Sequence, residues 1–126
     1  MTENEVLKKY GENFGWYSHM IDHCETALDG IERTGTLENL AKDRLIFKGV
    51  VMSLQALGEL LKDLPDRYKL LDDTISNRLI GFRNRSAHGY HAIDPGIVRE
   101  IVLTRIPKIL HELKLRQHQK EGSYYE

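Results

Sequence analysis

Cysteine is all but absent from this chain. Cys24 stands alone, so no internal disulfide can form and no cysteine-rich metal site can assemble. A reducing, cytoplasmic setting is the expectation that follows. Proline occurs at three positions only, Pro65, Pro95 and Pro107, which leaves long stretches with nothing to interrupt a helix. The strict alternation of apolar and polar residues that marks a half-buried strand is found nowhere. No apolar run approaches the roughly 20 residues of a membrane span. The opening "MTENEVLKKYGENFG" lacks the apolar centre of a signal peptide, so no membrane partner is expected. An excess of charge is missing too. The 18 basic and 19 acidic side chains leave a formal net charge of −1, which excludes a protein coated in basic surface. Any polyanion must be met at one spot.

The 126 residues make one domain by length. Val6, Leu7, Tyr10, Phe14, Tyr17, Met20, Ile21, Cys24, Ala27, Leu28 and Ile31 recur at three- and four-residue steps. They predict a helix over most of residues 3–33, weakened locally at Gly11 and Gly15. "ERTGT" breaks the pattern and offers Thr36 as the N-cap of a second helix, whose stripe runs from Leu40 through Phe47, Val50, Leu54, Leu57 and Leu61 to Leu64. Pro65 and Asp66 end it. A third helix is predicted over 74–87, with Ile75, Leu79 and Phe82 facing inward. Asp94 followed by Pro95 opens a fourth, which carries Ile97, Val98, Ile101, Val102, Ile109 and Leu113 inward and kinks at Pro107. The segment "QHQKEGSYYE" has no period and reads as frayed. The prediction is an all-α fold, a small antiparallel four- to five-helix bundle, with a single domain over 1–116 and a flexible tail over 117–126. Two long helices around so little mass leave apolar surface to cover, so a homodimer is expected.

Acids are also missing from one place in particular. Between Asp73 and Asp94 there is no Asp or Glu, and this run holds Arg78, Arg83, Arg85, His88 and His91. The stretch "RNRSAHGY", 83–90, admits two readings. In the first it is a well-terminated helix. Gly89 takes the left-handed position past the end, Tyr90 packs back, and the cations favour the negative end of the helix dipole. In the second it handles phosphate. Asn84 and His88, four apart, share a face, so the amide can orient the imidazole. Arg83 could hold a phosphate by its planar fork and favour neutral His88, the form that acts as a base. A histidine beside an arginine, with no metal ligands near, suits RNA cleavage by the ribose 2′-hydroxyl, because the substrate supplies the nucleophile. One histidine cannot serve as base and acid at once; two copies in a dimer would supply both.

"RNRSAH" also matches the R-x₄₋₆-H signature of the HEPN superfamily. "RNRSAHGY" followed by "HAIDPGIV" resembles the HepT-type toxins, which carry R-x₄-H-x-Y and then an acid opening the last helix. "ALGELL", 56–61, is similar to the Gly-Glu pair in the second long helix of such proteins. The resemblance implies a helical ribonuclease toxin that needs no metal and no cofactor. Arg83 and His88 would be its catalytic pair and Asn84 the supporting polar residue. Tyr90 matches the tyrosine that a nucleotidyltransferase antitoxin modifies with AMP, which would place negative charge beside the cleft and repel an RNA phosphate. Arg78, Arg85 and His91 are candidate RNA contacts. The alternative is a non-catalytic helical subunit that binds nucleotide or phosphate for a nucleotidyltransferase.

Other residues attract notice and recede. His19 and His23 have metal-capable spacing around Asp22 but no third ligand, and should face water. Cys24 lies in the apolar stripe and reads as core. Trp16 adjoins that stripe and should pack. Glu59 is mid-helix and reads as a structural ion-pair partner with no catalytic role. His111 and His118 read as surface, and the tyrosines 124 and 125 cannot be placed.

Overall fold

The computed structural model describes residues 2–65, 73–86 and 93–125, and for 73–76, 84–86 and 120–125 the backbone course alone. His88, Tyr90, His91 and the proposed cap Gly89 lie outside the described residues, and so do the side chains of Asn84 and Arg85. The described chain is helical, with no strand: α1 (Glu3–Tyr10), α2 (Trp16–Thr34), α3 (Leu37–Lys42), α4 (Arg44–Asp63), α5 (Asp73–Ser86), α6 (Pro95–Thr104) and α7 (Ile106–Tyr125).

The helix predicted over 3–33 is therefore two. Gly11 adopts φ 89° and ψ 162°, a conformation that a glycine accepts readily, and its N–H closes α1 on the Leu7 carbonyl at 2.8 Å. Five residues later α2 begins. The second predicted helix is also two. Asp43 ends α3 and caps α4, its carboxylate accepting from the Ile46 N–H at 3.0 Å. In both cases the apolar stripe runs on past the break, so periodicity alone reads one helix. Thr36 caps α3 through the Asn39 N–H, and Asp94 caps α6 through the Gly96 N–H at 2.7 Å, both as predicted. Pro107 interrupts the helical ladder where a kink was predicted, parting α6 from α7 at Arg105, which itself keeps right-handed helical geometry. Its ring lacks the N–H that would bond the Leu103 carbonyl and crowds that oxygen, so the turn upstream opens. Helical backbone continues to Tyr125, past the point where the sequence loses its period.

The core forms where α2 and α4 pack along their length, with α5 on the far flank of α4 and α6 and α7 closing over α2. Met20, Cys24 and Ala27 of α2, Val51, Leu54 and Leu57 of α4, and Ile106, Ile109 and Leu113 of α7 are buried in one apolar cluster. Each fully buried Leu or Ile contributes roughly 1.5–3 kcal/mol before entropy is counted. Leu7 and Ile97, expected inside, are 38% and 49% exposed. Among the described residues no helix is long and apolar enough to cross a membrane.

Candidate active site

Arg83 sits in the last turn of α5, beside Phe82, which is buried with Leu79 against α4. What brings α5 so close is Gly58. A Cβ there would stand 2.6 Å from the Leu79 carbonyl oxygen and 2.8 Å from the Arg83 Cβ. Both contacts are tighter than any side chain tolerates, so only glycine lets the two helices meet at this point. The next residue, Glu59, then reaches Arg83, its Oε2 lying 2.6 Å from Nε. The pair is in close ionic contact without the alignment of a linear hydrogen bond.

Glu59 has a second cation. Lys9, at the end of α1, places Nζ 2.8 Å from Glu59 Oε1 and 2.7 Å from Asp63 Oδ2. The Tyr10 hydroxyl donates to that same Asp63 oxygen at 2.5 Å. Asp63 is one turn beyond Glu59 on α4, so both carboxylates share a face, and the Asp63 side chain is only 3% exposed. Burial alone would push the Asp63 carboxyl up. The hydrogen bonds from Lys9 and Tyr10, with the Lys9 charge, outweigh it and hold the group below the usual carboxylate range. Lys9 is pushed above the ordinary lysine range, first by Asp63 and then by Glu59. Tyr10 is pushed up to about 12, chiefly by burial and by its bond to Asp63.

The acid-free run in the sequence is thus not acid-free in space. Glu59 from α4 meets Arg83, and Glu100 from α6 comes within 3.9 Å of Arg78. The sequence reading of Glu59 as an ion-pair partner holds, with Lys9 and Arg83 as the partners, while Lys9, Tyr10 and Asp63 were not anticipated as part of this site. The one signal was the pair Gly58–Glu59 itself. Nothing local joins Lys9 to a residue fifty positions away.

The remaining candidates fall elsewhere. His19 is exposed and stacks on Phe14, the rings 4.4 Å apart and 6° from parallel. His23 is half-buried, which holds its imidazole below the ordinary range. Cys24 is buried and its thiol is pushed up to about 12 by that burial, so it is packing rather than nucleophile. Trp16 is 4% exposed and packs against Tyr10 and Phe14. Among the described residues no three of His, Cys, Asp and Glu converge as metal ligands.

Residues 20–115 match the profile of the family described as ribonuclease HepT-like. A protein of Caldanaerobacter subterraneus subsp. tengcongensis, named a "putative RNase", is 24% identical over 100 residues, covering 79% of this chain and 88% of that protein. A second, from Methanocaldococcus jannaschii and named in the same words, is 26% identical over 98 residues, covering 75% of this chain and 81% of the relative. No solved structure matches the chain significantly.

Proposed function

Because the chain belongs to the HepT-like ribonuclease family, we propose that it is a metal-independent endoribonuclease working through Arg83 and His88. The observation that carries this reading is the family match over 20–115, which encloses the whole of "RNRSAHGY". His88 takes the proton of a ribose 2′-hydroxyl. The 2′-oxygen attacks the adjacent phosphorus, the P–O5′ bond breaks, and the 5′-oxygen leaves with a proton from a second acid. The products are a 2′,3′-cyclic phosphate and a 5′-hydroxyl. Arg83 stabilises the charged phosphorane, and Asn84 orients His88.

Two copies supply the acid and the base together, so the active species is a homodimer. An uncovered stripe on α4 supports this: Leu45 and Met52 are 83% and 59% exposed, and Gly49 between them faces open space. The stripe runs on along α4 to Glu59. In the cell the protein is the toxin of a pair, and a nucleotidyltransferase antitoxin silences it by adding AMP to Tyr90. The added phosphate sits two residues from His88 and repels the RNA backbone.

The test is RNA cleavage in excess EDTA by protein checked by mass for added AMP. Unmodified wild type should cut and His88→Ala should not. A folded, dimeric, unmodified wild type that leaves both mRNA and tRNA intact would overturn the proposal.

A further inference from the structure

Glu59 serves two cations at once, Lys9 on one oxygen and Arg83 on the other. Lys9 is itself held by Asp63, whose Oδ2 also accepts from Tyr10. Lys9 and Tyr10 belong to α1, outside the matched residues 20–115. Half of the arrangement around Arg83 thus comes from a part of the chain that the family match does not reach.

We propose that Glu59 is a positioning residue for Arg83, and that Lys9, anchored by Asp63 and Tyr10, sets how strongly Glu59 neutralises it. The inference rests on Arg83 being catalytic. An arginine side chain is long and flexible, and a carboxylate in ionic contact at Nε restrains where the guanidinium sits and therefore where its terminal nitrogens reach. A full negative charge 2.6 Å away also weakens the cation that must stabilise a phosphorane. Lys9 on the opposite oxygen offsets that cost by drawing on the same charge. Lys9, Arg83, Glu59 and Asp63 together carry two positive and two negative charges, with Tyr10 neutral. Without Lys9, two carboxylates on one face of α4 would confront a single arginine.

The experiment uses the full-length protein and a dye- and quencher-labelled RNA oligonucleotide, with folding followed by circular dichroism. Glu59→Gln keeps the shape and loses the charge. Its kcat should fall about 10- to 100-fold, the scale of a misaimed catalytic group, without a rise in KM. Lys9→Met should lower kcat by up to about fivefold, the range of a partly exposed pair, and Lys9→Arg should restore it. If Lys9 acts through Glu59, adding Lys9→Met to Glu59→Gln should change nothing further. A purely structural role predicts losses of melting temperature and a wild-type kcat in the folded variants. Wild-type kcat in Glu59→Gln, or an undiminished Lys9 effect in its background, would overturn the inference. A second readout needs no activity. The Arg83 Nε–H resonance, identified by its loss in Arg83→Lys, should shift in Glu59→Gln and less in Lys9→Met. An unmoved signal would overturn the positioning role. An inactive wild type with the expected shifts would count against the ribonuclease reading alone.

Discussion

Among the described residues Asp63 is the one charged side chain in the core, and its ionisation is coupled to folding. Its carboxyl is held low in the folded protein, so the stabilisation is full above the unfolded value of about 3.9 and disappears as the pH falls through the folded one. Asp63→Asn should therefore be less stable than wild type at pH 7, by about 1–3 kcal/mol for a charged hydrogen-bond acceptor. Urea denaturation at pH 7 and below pH 4 would show the gap closing in acid; a gap of constant size would contradict this account. Lys9 and Tyr10 work in the opposite direction. Both are raised on folding, so their contribution is present below about pH 10 and fades as the pH rises further. Lys9 is 42% exposed, and water discounts its share. Cys24, with its thiol pushed up to about 12, should resist a thiol reagent at pH 8 in the native protein and react once urea is added. At this scale the sequence was half legible. Cys24 and Trp16 went where their apolar neighbours implied. The partners of Arg83 were hidden, because charge counted along a chain says nothing of what a neighbouring helix brings to it.

The helix starts signalled by Thr36 and Asp94 were read correctly, and helix interruptions without such a signal were not. Asp94 before Pro95 and Thr36 after "ERTG" are capping sequences, and both cap. Asp94→Ala should cost about 1 kcal/mol, measurable by thermal melting. Gly11 and Asp43 interrupt the helices inside continuous apolar stripes, where a single glycine or aspartate is an ambiguous mark. Gly58 has its meaning only in the packed structure. Its missing Cβ sets the distance between α4 and α5, and with it the place where Glu59 meets Arg83. Gly58→Ala should force α5 outward, costing about 1–3 kcal/mol and lowering RNA cleavage. A Gly58→Ala variant with wild-type stability and wild-type cleavage would mean that the close approach is not what positions Arg83.

For the whole molecule, class and helix order followed from periodicity and from the lack of any strand pattern. The meeting of α1 with the far end of α4 did not, since it joins segments that no local rule connects. The proposed dimer belongs to this scale as well. Sedimentation should give a dimer for wild type and a monomer when Leu45 and Met52 are both changed to Glu, and that monomer should have lost cleavage. The most direct measurement of the central claim is the chemistry of the cut ends. Unmodified wild type in excess EDTA should leave a 2′,3′-cyclic phosphate and a 5′-hydroxyl, with no product from Arg83→Ala or His88→Ala. Products ending in 3′-hydroxyl and 5′-phosphate, or cleavage by either variant at the wild-type rate, would contradict a ribonuclease built on Arg83 and His88.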